Sequence, residues 1–223
     1  MSNRYKRIAV KIGSNVLTRA DGTLDITRMS AIVDQVADLH HRGVGVIIIS
    51  SGAVASGRSL LSENKKLDAV SARQLYSAVG QAKLINRHYE LFREHHIPVG
   101  QVLTMKESFG TRRHYLNQRG CMAVMLENGV IPIVNENDTI STFEVEDVIG
   151  DNDTLSAIVT ALTGADLLIL LSDIDGLYTD DPRKNPDAKF IPLVEQLTED
   201  HMNMGKASTG SNVGTGGMNT KMI

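Results

Sequence analysis

The sequence has no tryptophan, a single cysteine, and only 4% aromatic residues. With so few rings available, the core must be aliphatic. One cysteine, Cys121, excludes an internal disulfide and fits a reducing cytosol. Its place in a helical run predicts a small buried residue. No apolar run approaches the ~20 residues that span a bilayer, and the N-terminus carries no signal-peptide pattern. Positive charge is not in excess: the net charge is -3, which gives no support to general nucleic-acid binding. None of the seven histidines has a zinc-ligand spacing with Cys121, and no residue is assigned as a metal ligand. What remains is 223 residues with 42% hydrophobic and 22% charged content, the composition of a soluble globular protein of one large or two small domains. No internal repeat and no domain boundary stand out.

Apolar runs at 8–12, 44–49, 98–103, 129–134 and 165–171 read as strands. Between them lie helical patterns. Thr27 is the expected N-cap of the first long helix, with Met29, Ile32, Val33, Val36 and Leu39 at helical spacing and Gly43 as its stop. A small-residue helix follows Ser50-Ser51-Gly52-Ala53. Residues 70–96 read as a long helix with an interruption near Gly80, its apolar positions including Leu75, Val79, Leu84, Ile85, Tyr89 and Phe92. Residues 111–128 and 152–162 read as further helices. The span 139–150 suggests a hairpin or flap, 178–191 is irregular, and 193–204 has room for a short helix. Alternating strands and helices predict an α/β protein, a three-layer α/β/α sandwich around a mainly parallel sheet.

In such a sheet the strand ends Lys11, Ser51, Asn135 to Asp138 and Ser172-Asp173 share one edge, where open α/β proteins bind ligands. Individually these residues have plainer readings. Lys11 is either an exposed edge residue or an anion ligand. The turn at Ser51-Gly52 is either an anion site at a helix start or a close helix–sheet contact. Val134-Asn135-Glu136-Asn137-Asp138 and Gly150-Asp151-Asn152-Asp153-Thr154 are either a ligand rim or turn and cap chemistry. Residues 214–221 are either a phosphate cradle or a flexible linker. Two acidic clusters in succession favour the ligand rim. Lysines, small turns, amides and carboxylates on one edge suit phosphoryl transfer, which depends on positioning and charge stabilisation. The chain lacks G-x-x-x-x-G-K-[ST] and has no G-x-G-x-x-G after its first strand, so neither standard nucleotide fingerprint applies.

At these same residues the chain resembles the glutamate 5-kinase family of the amino-acid kinase superfamily. The matching stretches are Val10-Lys11-Ile12-Gly13-Ser14, Ser50-Ser51-Gly52-Ala53, Val134 to Asp138, Gly150 to Asp153, Ser172-Asp173 and Gly214 to Lys221. Their order and spacing agree along almost the whole chain. The resemblance implies the amino-acid kinase fold and transfer of the ATP γ-phosphate to the side-chain carboxylate of L-glutamate, the first step of proline synthesis. It implies Mg2+ with ATP, feedback inhibition by L-proline, a homo-oligomer (dimer or tetramer), a cytoplasmic location, and no nucleic-acid or membrane partner.

Carried over by position, Lys11 and Lys221 stabilise charge and Asp153 orients them. Ser51, Asp138 and Asn152 contact glutamate. Lys11, Ser172, Asp173, Thr215, Gly216, Gly217, Met218, Asn219, Thr220 and Lys221 contact the nucleotide. The family's kinase domain continues past the last motif, so residues 1–223 are expected to be incomplete at the C-terminus and without the PUA domain of many members. Two alternatives stand beside this expectation: a related kinase for another small acid, or a non-catalytic amino-acid sensor on the same fold.

Overall fold

The computed structural model describes residues 4–61, 67–105, 107–140, 152–199 and 201. Five strands, β1 (Arg7–Ile12), β2 (Gly45–Ser50), β3 (Val99–Thr104), β4 (Ile131–Glu136) and β5 (Leu167–Leu171), form one sheet in the order β3-β4-β2-β1-β5. Every pairing in that sheet is parallel. The helices are α1 (Ser14–Leu17), α2 (Ile26–His41), α3 (Ala53–Arg58), α4 (Ala69–Arg93), α5 (Glu107–Gly110), α6 (Arg112–Glu127) and α7 (Asn152–Thr163).

Side chains alternate between the two faces of a strand, and each face builds its own core. Ile8, Val10 and Ile12 join Val46, Ile48, Ile131 and Ile133 beneath Met29, Val33 and Val36 of α2 and Leu84 and Phe92 of α4. Ala9, Ile47, Ile49 and Val134 pack instead against Met122 of α6 and Leu155, Val159 and Leu162 of α7. Each fully buried aliphatic side chain contributes about 1.5–3 kcal/mol relative to exposure. The result is the three-layer α/β/α sandwich expected from the alternating pattern.

Several local expectations are corrected. The N-cap of α2 is Asp25, whose side chain accepts from the Arg28 N–H; Thr27 lies already inside the first turn. Helix α4 runs through Gly80 without a break. A Cβ at Gly80 would sit 1.8 Å from the Ala53 carbonyl oxygen, and one at Gly57 would sit 1.8 Å from that of Tyr76. The two glycines therefore let α3 and α4 touch backbone to backbone. The inward stripe of α4 is Tyr76, Gly80, Leu84, His88 and Phe92, at i+4 spacing, while Leu75 and Tyr89 face outward. Cys121 is exposed, because α6 buries only Met122 among its described side chains. The irregular segment after β5 is closed by an antiparallel ribbon, β6 (Leu177–Tyr178) with β7 (Phe190–Ile191). Of the 193–204 span, residues 193–198 form no helix, Glu199 and His201 are helical, and the rest lies outside the described residues. The expected hairpin or flap lies outside the described residues from 141 onward.

Candidate active site

Parallel pairing brings the C-terminal ends of β4, β2, β1 and β5 side by side along one rim, in that order. Strand alternation then decides which layer each rim residue meets. Lys11 shares the face of Ala9, so it points toward α7. There it forms an ion pair with Asp153, in the first turn of α7. Lys11 is only 6% exposed, which removes the edge-residue reading.

Ser50 shares the face of Ile48 and points the other way, toward α4. Its Oγ lies 3.0 Å from His88 Nε2. His88 is fully buried, and that burial lowers its pKa from 6.5 to about 4, leaving the ring neutral. Nδ1 has no partner among the described residues. An orphaned buried N–H is rarer than an orphaned acceptor, so the ring proton belongs on Nε2, which donates to Ser50. The next residue, Ser51, is tied by its backbone N–H to the Ile12 carbonyl at 3.1 Å. Gly52 follows with φ 97°, a left-handed turn that favours glycine.

Asn135 also points toward α4, and its Nδ2 donates to Gln81 Oε1 at 2.8 Å. Asn152 at the start of α7 donates through Nδ2 to Ser51 Oγ at 2.7 Å and to Asn135 Oδ1 at 3.3 Å. Asp138 is 9% exposed and accepts from Arg73 Nε at 3.1 Å and Nη2 at 2.7 Å. Arg73 Nη2 also lies 3.7 Å from Glu136. Beside Asp138 a cavity of about 700 Å³ opens between α4 and the end of β4, lined by Gln81, Ile85, Tyr89 and Leu103 among others.

At the other end of the rim, Gly13 donates its N–H to the Leu171 carbonyl at 3.0 Å. Asp173 accepts from Asn15 Nδ2 at 3.0 Å and pairs with Arg183 Nη2 at 2.9 Å. Ser172 Oγ donates to Asp173 Oδ1 at 3.3 Å. Partial burial acts to raise the Asp173 pKa, but the bonds from Asn15 and Arg183 outweigh it, and the net shift is downward.

The structure thus gathers Ser51, Asn152 and Asp138 on one side of the Lys11–Asp153 pair and Ser172 and Asp173 on the other. Lys221 and the expected nucleotide contacts Thr215, Gly216, Gly217, Met218, Asn219 and Thr220 lie outside the described residues. Sequence reasoning passed over Arg73, Gln81 and His88. Their signal was polar residues at positions 73, 77, 81 and 88 of one helix. Arg183 and Asn15 carried no signal beyond their charge and polarity. Among the described residues no three His, Cys, Asp or Glu side chains group to hold a metal. No helix among them is long and apolar enough to cross a membrane.

A model described as the amino acid kinase family matches residues 6–223. A glutamate 5-kinase of Bacteroides thetaiotaomicron is 61% identical over 221 residues, which cover 99% of this chain and 60% of that protein. Glutamate 5-kinases of Geobacter sulfurreducens and Haemophilus influenzae are 45% and 43% identical, over 99% and 98% of this chain and 58% of each relative. The chain therefore spans about three-fifths of the length of these curated relatives. A solved structure titled "X-ray structures of isopentenyl phosphate kinase" superposes with a TM-score of 0.58 at 20% identity, covering 85% of this chain and 81% of that one, a likeness of fold alone.

Proposed function

The chain belongs to the amino acid kinase family, and on that premise we propose that it transfers the γ-phosphoryl group of ATP to the side-chain carboxylate of L-glutamate. A carboxylate oxygen forms the new bond to phosphorus, the bond to the β–γ bridging oxygen breaks, and ADP leaves with those electrons. The acceptor is already ionised, so no base is required. Positioning and charge neutralisation carry the rate.

The observation that carries this reading is the order along the rim. The buried Lys11–Asp153 pair stands between a hydrogen-bonding cluster at the ends of β4 and β2 and the Ser172–Asp173 turn after β5. Asp153 holds the Lys11 ammonium in place, and Lys11 meets the charge that develops on the transferred group. Ser51, Asn152 and Asp138 bind glutamate. Ser172 and Asp173 face the nucleotide, with Thr215 to Lys221 completing its site and Lys221 as the second charge-stabilising lysine. Mg2+ enters with ATP as part of that substrate, held by its phosphates. Inhibition by L-proline, a homo-oligomeric state and a cytoplasmic location belong to the same reading.

The relatives' printed names support glutamate as acceptor. The test is trapping of the acyl phosphate as a hydroxamate, with glutamate, aspartate and N-acetylglutamate compared as acceptors. Hydroxamate from glutamate far above the other two is expected. A different preferred acid moves the chain to a related kinase, and no ATP turnover with any acid makes it a sensor.

A further inference from the structure

Helix α4 presents three polar side chains to the rim from behind. Arg73 holds Asp138, Gln81 holds Asn135, and His88 holds Ser50. The middle contact continues into the site, because Asn135 binds Asn152 and Asn152 binds Ser51. We propose that Gln81 is a positioning residue that sets the direction of this amide relay, and with it the recognition of an acceptor carrying an ammonium beside a carboxylate. This deepens the reading of the chain as an amino-acid kinase and rests on it.

A primary amide has one donor end and one acceptor end, so fixing one end of a chain of amides fixes the next. Gln81 offers Oε1, and Asn135 meets it with Nδ2. Asn135 must then turn Oδ1 toward Asn152. Asn152 commits its Nδ2 to Asn135 and to Ser51. Its own Oδ1 is left buried, with no partner among the described residues. A buried carbonyl in that state is destabilising until a donor reaches it. Ser51 Oγ already accepts from Asn152, so its hydroxyl proton is left to donate. The relay therefore ends in one open acceptor and one available donor, the polarity that an ammonium and a carboxylate need. Run the other way, it would turn an NH₂ toward the ammonium.

The relay makes Gln81 matter only as an acceptor toward Asn135. Gln81→Glu keeps an acceptor oxygen there, and the side chain borders the open cavity beside Asp138, where a carboxylate stays hydrated. Gln81→Leu removes the acceptor. In steady-state kinetics on the full chain, Gln81→Leu should raise KM for glutamate at least about tenfold, with kcat and KM for ATP little changed, while Gln81→Glu stays within about threefold of the unaltered chain. The side-chain amide NMR signals of Asn135 and Asn152 in the ligand-free chain give an independent readout. They should shift and lose exchange protection in Gln81→Leu and persist in Gln81→Glu.

Unchanged glutamate KM in Gln81→Leu, equal KM rises in both variants, or unchanged amide signals in Gln81→Leu would each overturn the proposal. If the unaltered chain makes no hydroxamate from glutamate, the substrate reading falls, and the amide signals alone decide the relay.

Discussion

Lys11 on β1 and Asp153 at the start of α7 form an ion pair whose side chains are 8% and 1% exposed. A pair so far from water has two separable consequences. Removing one partner leaves an uncompensated buried charge and costs about 3–5 kcal/mol of stability, whereas replacing both by apolar groups is often neutral. Catalysis follows a different rule, since losing one preorganised charge-stabilising donor costs about 10²–10³ in kcat. Lys11→Met should therefore lower both stability and kcat. The double variant Lys11→Met/Asp153→Leu should recover stability and not turnover. Denaturant unfolding alongside kcat measures this, and a double variant with restored kcat would remove Lys11 from the mechanism.

Asp138 is already held by Arg73, so its carboxylate is oriented before any substrate arrives. Asp138→Asn keeps the shape and removes the charge. Hydrogen bonds to a charged group contribute roughly 1.5–3 kcal/mol, which converts to a rise in glutamate KM of roughly 10- to 150-fold. KM for ATP should hardly move, because Ser172 and Asp173 lie at the far end of the rim. The melting temperature falls as well, through weakened pairing with Arg73. A lowered melting temperature with normal glutamate KM would reduce Asp138 to an anchor for α4.

The rim residues were legible from the sequence for a simple reason. Lys11, Ser51, Asn135, Asp138 and Asp173 all sit where an apolar run stops, and parallel topology alone brings such ends together. The supports on α4 were not legible, because their visibility depends on knowing which face is inward. The buried stripe contains Gly80 and His88 in place of two expected apolar residues, while Leu75 and Tyr89 look outward. Hydrophobic periodicity therefore marked Leu84 and Phe92 on the inward face but gave no sign of that face's polar members. Gly80 looked like a helix break because glycine is a poor helix former. Its purpose is steric and appears only when α3 is placed against it.

That contact makes a sharp contrast between glycines. At Gly80 an added Cβ would lie 1.8 Å from the Ala53 oxygen, against backbone that cannot rotate away. Gly80→Ala should cost at least the ~1–3 kcal/mol typical of overpacking. It should also raise glutamate KM, because α3 follows directly on the Ser51-Gly52 turn. Gly120 in α6 has nothing within 4 Å of the same added atom. Gly120→Ala should instead stabilise by roughly 0.5–1 kcal/mol, through helix propensity and reduced unfolded-state entropy. Chemical denaturation of the two variants, run together, tests both signs.

His88 gives the structure a definite pH dependence. Its folded pKa is about 4, lowered by burial, against 6.5 for the free side chain. Between those values the unfolded chain binds a proton that the folded chain does not, so stability rises with pH through this window. The contribution is complete above the unfolded value. It is lost progressively as pH falls toward about 4, amounting to about 3 kcal/mol over the full span. Carboxylates paired in the fold contribute at the acidic end, so the window that isolates His88 is pH 5 to 7. His88→Gln supplies a neutral amide that can still bond Ser50 and does not titrate. The slope of unfolding free energy against pH over that window should be clearly positive in the unaltered chain and nearly flat in His88→Gln. Equal slopes in the two proteins would mean that His88 is protonated within the fold, and that burial does not hold it neutral beside Ser50.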